Sequence, residues 1–138
     1  SEDKEVMSTN GFGNKIENFL SFCRECVDAN RRAAIAEMDA DNKMQDILHR
    51  IELGENYPED YITMGIAQAN IRKERRVAKD VVKITYPIVQ WVNKNQKTIN
   101  ELEKLLGDVR KAEKNTVGRM YSNRTKILEG LFEEEGGD

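Results

Sequence analysis

Two prolines, two cysteines, one tryptophan and one histidine in 138 residues leave this chain short of the parts from which several protein classes are built. Little proline and only 7% aromatic residues mean scarce turn chemistry, which argues against a barrel or sandwich and for helices. No apolar run approaches the roughly 18 to 20 residues that a membrane-spanning helix needs. Ser1 to Glu5 are acidic where a secretory leader is basic and then apolar, so a soluble, cytoplasmic protein is expected. Neither a catalytic nor a cofactor signature is present.

What the chain does have is charge, 34% of its residues, set beside 38% hydrophobic residues in a length that suits one domain. The net charge of -3 hides an alternation along the sequence. Residues 1–64 carry 14 acids against 7 bases, residues 65–128 carry 6 acids against 15 bases, and residues 129–138 carry five acids. Such blocks mark either a surface for nucleic acid or acidic protein, or helices that neutralise each other on packing.

Residues 1–13, polar and glycine-rich, are expected to be a flexible segment. The first helix is expected over 14–53, with Asn14 as its cap and Glu17 reaching back. Ile16, Phe19, Leu20, Cys23, Cys26, Val27 and Ala33 or Ala34 recur at steps of three and four, and Met38, Met44, Ile47, Leu48 and Ile51 resume the pattern after a shift. Asp39 to Asn42 are poor helix formers, a place for a bend, and Gly54 is the natural terminator. Pro58 suits the first turn of a second helix over 58–96, with Glu59 and Asp60 favoured at its positive end. Its buried stripe is read as Ile62, Ile66, Ala69, Val77, Val81, Ile84, Ile88 and Trp91, with a kink at Pro87. A third helix over 98–120 opens on Thr98 with Glu101 three residues on, and a short one over 125–132 precedes an acidic tail, 133–138.

The first two helices are nearly equal in length and closely connected, so the expected fold is all-α: a long, coiled-coil-like antiparallel hairpin with a shorter third helix folding back on its open end. Opposed residue numbers would sum to about 111, setting Asp39 near Arg72, Glu37 near Glu74 and Asp28 near Lys83. The closed end then keeps more apolar side chains than a two-helix seam uses. Met44, Ile47, Leu48, Ile51, Tyr61 and Ile62 are the candidate oligomer interface, and Leu48→Asp is expected to dissociate the assembly. The alternative is a bend at 39–42 that folds the tip into a compact monomer.

Other motifs carry less. Cys23 and Cys26 form a C-x-x-C, but His49 is the only further soft ligand and lies on the same helix, so one chain closes no zinc site; two chains pooling four cysteines are the alternative to core packing. His49 has no nucleophile pattern beside it and reads as a surface or interface residue. Asp39 and Asp41 begin like a calcium loop, yet Met44 stands where glycine is required and Arg50 where the bidentate acid belongs. Gly11 to Gly13 lack the strand and lysine of a phosphate loop. No metal and no cofactor are expected. Arg72, Arg75, Arg76, Lys79 and Lys83 fall within an arc of roughly 100° on the second helix, a candidate face for a charged partner or nucleic acid. Interspersed acids and the absence of stacking aromatics weaken the nucleic-acid case.

Three segments, Leu48-His49 through Glu52-Leu53, Glu74-Arg75-Arg76 through Lys79-Asp80, and Gly107 to Lys111 with Glu113, resemble small helical proteins encoded by phages and prophages of Gram-positive bacteria. The resemblance spans residues 45–125 and implies a phage origin, a host-cytoplasm setting and a role through binding; it assigns no functional residue. The expectation is a non-enzymatic, self-associating protein-interaction protein, an inhibitor or adaptor of a host protein, with no small-molecule substrate. The alternative is a nucleic-acid-binding accessory factor.

Overall fold

The structure, a computed structural model, describes residues 9–117. The expected helix over 125–132, the last residues of the third helix, the acidic tail and residues 1–8 lie outside the described residues. Among the described residues there are three helices and no strand: α1 (Phe12–Leu53), α2 (Pro58–Lys94) and α3 (Gln96–Val117). At 1.5 Å per residue they run about 63, 55 and 33 Å.

α1 begins two residues before the expected cap. Gly11 takes the left-handed conformation, φ 90°, and no side chain of its own segment caps the helix. Instead the Phe12 amide donates to Glu113 Oε2 on α3 at 3.0 Å, so the helix's positive end meets a carboxylate brought by the tertiary fold. Asn14 is therefore an exposed residue inside the helix. Phe12 and Gly13, expected in the flexible segment, belong to α1.

α1 is unbroken through Asp39 to Asn42. Ala40 is buried and Asp41 accepts from Arg75 Nε at 2.6 Å, so tertiary contacts outweigh weak local propensity. α1 ends where expected, but Gly54 is extended rather than left-handed (φ -91°, ψ 165°). Its role is room: a Cβ there would stand 2.7 Å from the Arg50 carbonyl oxygen. That carbonyl accepts from the Gly54 amide and from Asn56 Nδ2, both at 2.9 Å. Pro58 opens α2 as expected, and the Tyr57 amide donates to Asp60 Oδ2 at 2.8 Å. α2 continues through Pro87 to Lys94.

α1 and α2 pack antiparallel along a strict seven-residue repeat. On α2 the buried side chains are Met64, Ile71, Ala78, Thr85 and Val92, with Gln68, Arg75, Val82 and Val89 half-buried between them. On α1 the matching rows are Cys23, Asn30, Glu37, Met44 and Ile51, and Cys26, Ala33, Ala40 and Ile47, with no shift of pattern. This is coiled-coil geometry. It corrects the expected stripe of α2, since Ile62, Ile66, Ala69, Val77, Ile84 and Trp91 are exposed.

Two polar layers fix the register. Asn30 Nδ2 donates to Thr85 Oγ1 at 3.1 Å and to the Val82 carbonyl at 3.3 Å. Arg75 reaches Glu37 at 3.8 Å and Asp41 at 2.6 Å. Paired residue numbers thus sum to 112–116, and at Phe19 with Trp91 to 110. The expected sum is close, but the expected partners differ: Arg75 takes Glu37, while Asp28 bonds Arg31 and Arg32 of its own helix.

Only Asn95 separates α2 from α3; its amide donates to the Val92 carbonyl and its carbonyl accepts the Ile99 amide. α3 therefore starts before Thr98, which lies within the helix. It packs on the open end as expected, yet it does not fold back. Its first turns meet α1 near Val27 and Cys23, its later ones near Glu17 and Gly13, so it runs on in the direction of α2, antiparallel to α1. Gly13 permits that approach, because a Cβ there would stand 3.0 Å from Arg110 Cγ and Glu113 Oε1.

Candidate functional site

The surface of the rod divides by side. On one side of the seam Ile99 and Glu103 of α3 face Leu20, Cys23 and Val27 of α1 across an open recess of about 330 Å³. Glu17 holds its far end, accepting from Ser21 at 3.0 Å and Arg24 at 2.6 Å and facing Arg110 at 3.6 Å. The Ser21 hydrogen bond, helped by Arg24 and Arg110 and opposed by desolvation, holds the Glu17 carboxyl below the usual carboxylate range. A depressed carboxylate stabilises the fold at neutral pH, and that contribution is lost as pH falls through the folded-state value.

The other side is uncovered. Phe19 and Trp91 meet edge to face, ring centroids 6.0 Å apart, and with Phe22, Cys23, Pro87 and Ile88 they line an open apolar groove of about 400 Å³. The groove continues along α2 as a second apolar stripe whose period differs from that of the seam. Ile62, Lys73 and Ile84, then Ile66, Val77 and Ile88, then Ala69, Asp80 and Trp91 recur every eleven residues, so all nine lie on one face of the helix. Ile84 is 71% exposed, Ile62 67% and Val77 63%.

The residues expected at the oligomer interface are split by the fold. Met44, Ile47 and Ile51 are half-buried in the α1–α2 seam, whereas Leu48, Tyr61 and Ile62 are exposed. Of the basic residues, Arg75 is turned into its ion pairs with Glu37 and Asp41. Arg72, Arg76, Lys79 and Lys83 are exposed and make no ion pair among the described residues. Glu37 and Asp80 line the same shallow recess as Arg76, Lys79 and Lys83 and reduce its positive field. The eleven-residue stripe was missed as a surface because its large aliphatics were assigned to the core; its period, distinct from seven, is the signal that marks it.

Both cysteines are free thiols, Cys23 buried in the seam and Cys26 half-buried, and His49 is exposed. Among the described residues no cluster of three or more His, Cys, Asp or Glu side chains is arranged to hold a metal ion. Burial, with the neighbouring Cys26 adding, pushes the Cys23 thiol above its ordinary range. Alkylation by iodoacetamide at neutral pH is therefore expected to modify Cys26 at least about tenfold faster than Cys23. Mass spectrometry of the peptides checks it; equal rates in the folded protein would contradict the burial of Cys23.

Compared with known proteins, the chain matches no family model, no curated protein and no solved structure. Among the described residues no helix is long and apolar enough to cross a membrane.

Proposed function

We propose that this chain is a helical protein-interaction protein that acts by binding rather than by chemistry and associates with itself. The observation that carries this reading is the row of large aliphatic side chains left exposed on a regular helix, with Ile84, Ile62 and Val77 foremost. Apolar surface of that extent on a regular element is a contact surface. The resemblance of residues 45–125 to phage-encoded helical proteins supports a phage origin, a host-cytoplasm setting and a host protein as a further partner, for which the chain would be an adaptor or inhibitor. Light scattering coupled to size exclusion, run over a range of concentrations and at low and high salt, tests the self-association. A mass that is a multiple of 15.9 kDa and is retained in high salt supports it; a 15.9 kDa particle at every concentration removes it.

A second reading rests on the four exposed cations Arg72, Arg76, Lys79 and Lys83 on one face of α2, which make no ion pair among the described residues. They would bind nucleic acid as an accessory factor through phosphate contacts. A salt-sensitive shift of labelled DNA or RNA, abolished by Arg72→Ala with Arg76→Ala, supports this reading, and a chain that shifts neither excludes it.

A further inference from the structure

We infer that the exposed stripe of α2 is covered by the same stripe of a second copy, packed antiparallel about a two-fold axis beside Val77. The inference rests on the self-association proposed above and assigns its surface. Three observations support it: length, area and charge order.

The stripe from Ile62 to Trp91 spans 29 residue steps, about 44 Å. Another long helix matches that length, while α3, about 33 Å long, is engaged against α1 on the other side of the seam. Ile62, Ile66, Val77, Ile84 and Trp91 are 40–71% exposed. Together they present on the order of 600 Å², against roughly 800 Å² per partner in a standard interface.

Charge order within the stripe is self-complementary, although Arg72, Arg76, Lys79 and Lys83 flank it on one side and face their own kind in an antiparallel pair. Read from either end, the stripe has apolar residues and charges at the same places with the sign of the charges exchanged: three apolar residues, the cation Lys73, Val77, the anion Asp80, three apolar residues. Laid antiparallel on itself about Val77, it sets Ile62 level with the partner copy's Trp91 position and Ile66 level with the Ile88 position. Ala69 then faces the Ile84 position. The two charges within the stripe, Lys73 and Asp80, each meet the opposite charge of the other copy, making two equivalent ion pairs that flank a central Val77 contact. An isologous interface requires this self-complementarity. Lys73 and Asp80 are exposed and form no ion pair among the described residues of one chain, so both are available.

The test is the dimer dissociation constant of the full chain, measured by sedimentation equilibrium with helicity followed by circular dichroism. Lys73→Glu alone and Asp80→Lys alone each create two like-charge pairs per dimer and are expected to weaken association at least about tenfold. An equimolar mixture of these two variants restores both pairs and is expected to recover wild-type affinity as a heterodimer. Ile84→Glu, at an exposed position that leaves the hairpin seam intact, is expected to weaken the dimer by about two orders of magnitude. Leu48→Asp, off the stripe, is expected to leave it unchanged.

An assembly indifferent to Lys73→Glu and Ile84→Glu, or one dissociated by Leu48→Asp instead, leaves self-association standing and overturns the stripe as its surface. Two weakened variants whose mixture recovers nothing overturn the antiparallel pairing. A wild-type chain that stays monomeric overturns both readings. Within that result, a red shift of Trp91 emission on removing residues 118–138 would assign the stripe to that segment.

Discussion

Leu20→Ala is expected to cost about 3 kcal/mol of folding stability and to lower the melting temperature by roughly 10 °C. Leu20 is 2% exposed and stands where α1 meets both other helices, lining one recess with Val92 of α2 and Ile99 of α3. Truncating it removes apolar contact on two fronts, and the three helices of the described residues offer few other layers to collapse into the space. Thermal and urea unfolding of the purified variant check the value. The informative comparison is Ile84→Ala, at a position 71% exposed, which is expected to change the stability of the monomer by no more than about 0.5 kcal/mol. If the two substitutions cost the same, the division between seam and stripe is wrong.

Ala40→Leu is expected to destabilise by about 2 kcal/mol although it adds hydrophobic atoms. Ala40 is 2% exposed in the α1–α2 seam, and Ala33 and Ala78 are buried along the same seam, so the helices approach where side chains are small. A leucine there has to push the helices apart or leave its rotamer. A lower urea midpoint with an unchanged slope would report this loss. Unchanged stability would show a seam that opens freely.

Those alanines also explain which parts of the fold were legible in the sequence. Helix identity, the short connection after Gly54, Pro58 at the start of α2 and the antiparallel hairpin all follow from local chemistry that the sequence displays directly. The face of α2 that meets α1 does not. Reading by hydrophobicity selects Val77, Ile84 and Trp91, the bulkier set, whereas the seam uses Ala78, Thr85 and Arg75, whose value lies in size and in pairing with Asn30, Glu37 and Asp41. A helix with two apolar faces gives two answers to the same periodicity search, and only the partner helix decides between them. The start of α1 is not legible locally for a related reason, because its capping carboxylate, Glu113, is 101 residues away.

The candidate surfaces were legible in part. Leu48, Tyr61 and Ile62 are exposed as a contact surface requires, and four of the five basic residues face outward. Met44, Ile47 and Ile51 are half taken up by the seam, since the hairpin keeps its seven-residue repeat through the closed end. An oligomer built on the tip would therefore have a smaller apolar area than the sequence suggests, and the stripe of α2 offers more.

The bond from the Phe12 amide to Glu113 also bears on the order in which the molecule assembles. Contacts beside the Gly54 turn close loops of only a few residues, those at Asn30 and Thr85 close 55, and the clasp between the two ends of the described chain closes 101. Loop-closure entropy rises with that separation. By closure entropy alone, contacts are cheapest to form beside the turn and costliest at the beginning of the first helix, whose cap needs the longest loop closed. A nascent chain emerging N-terminus first would hold α1 with its leading end uncapped until nearly all of α3 had been synthesised.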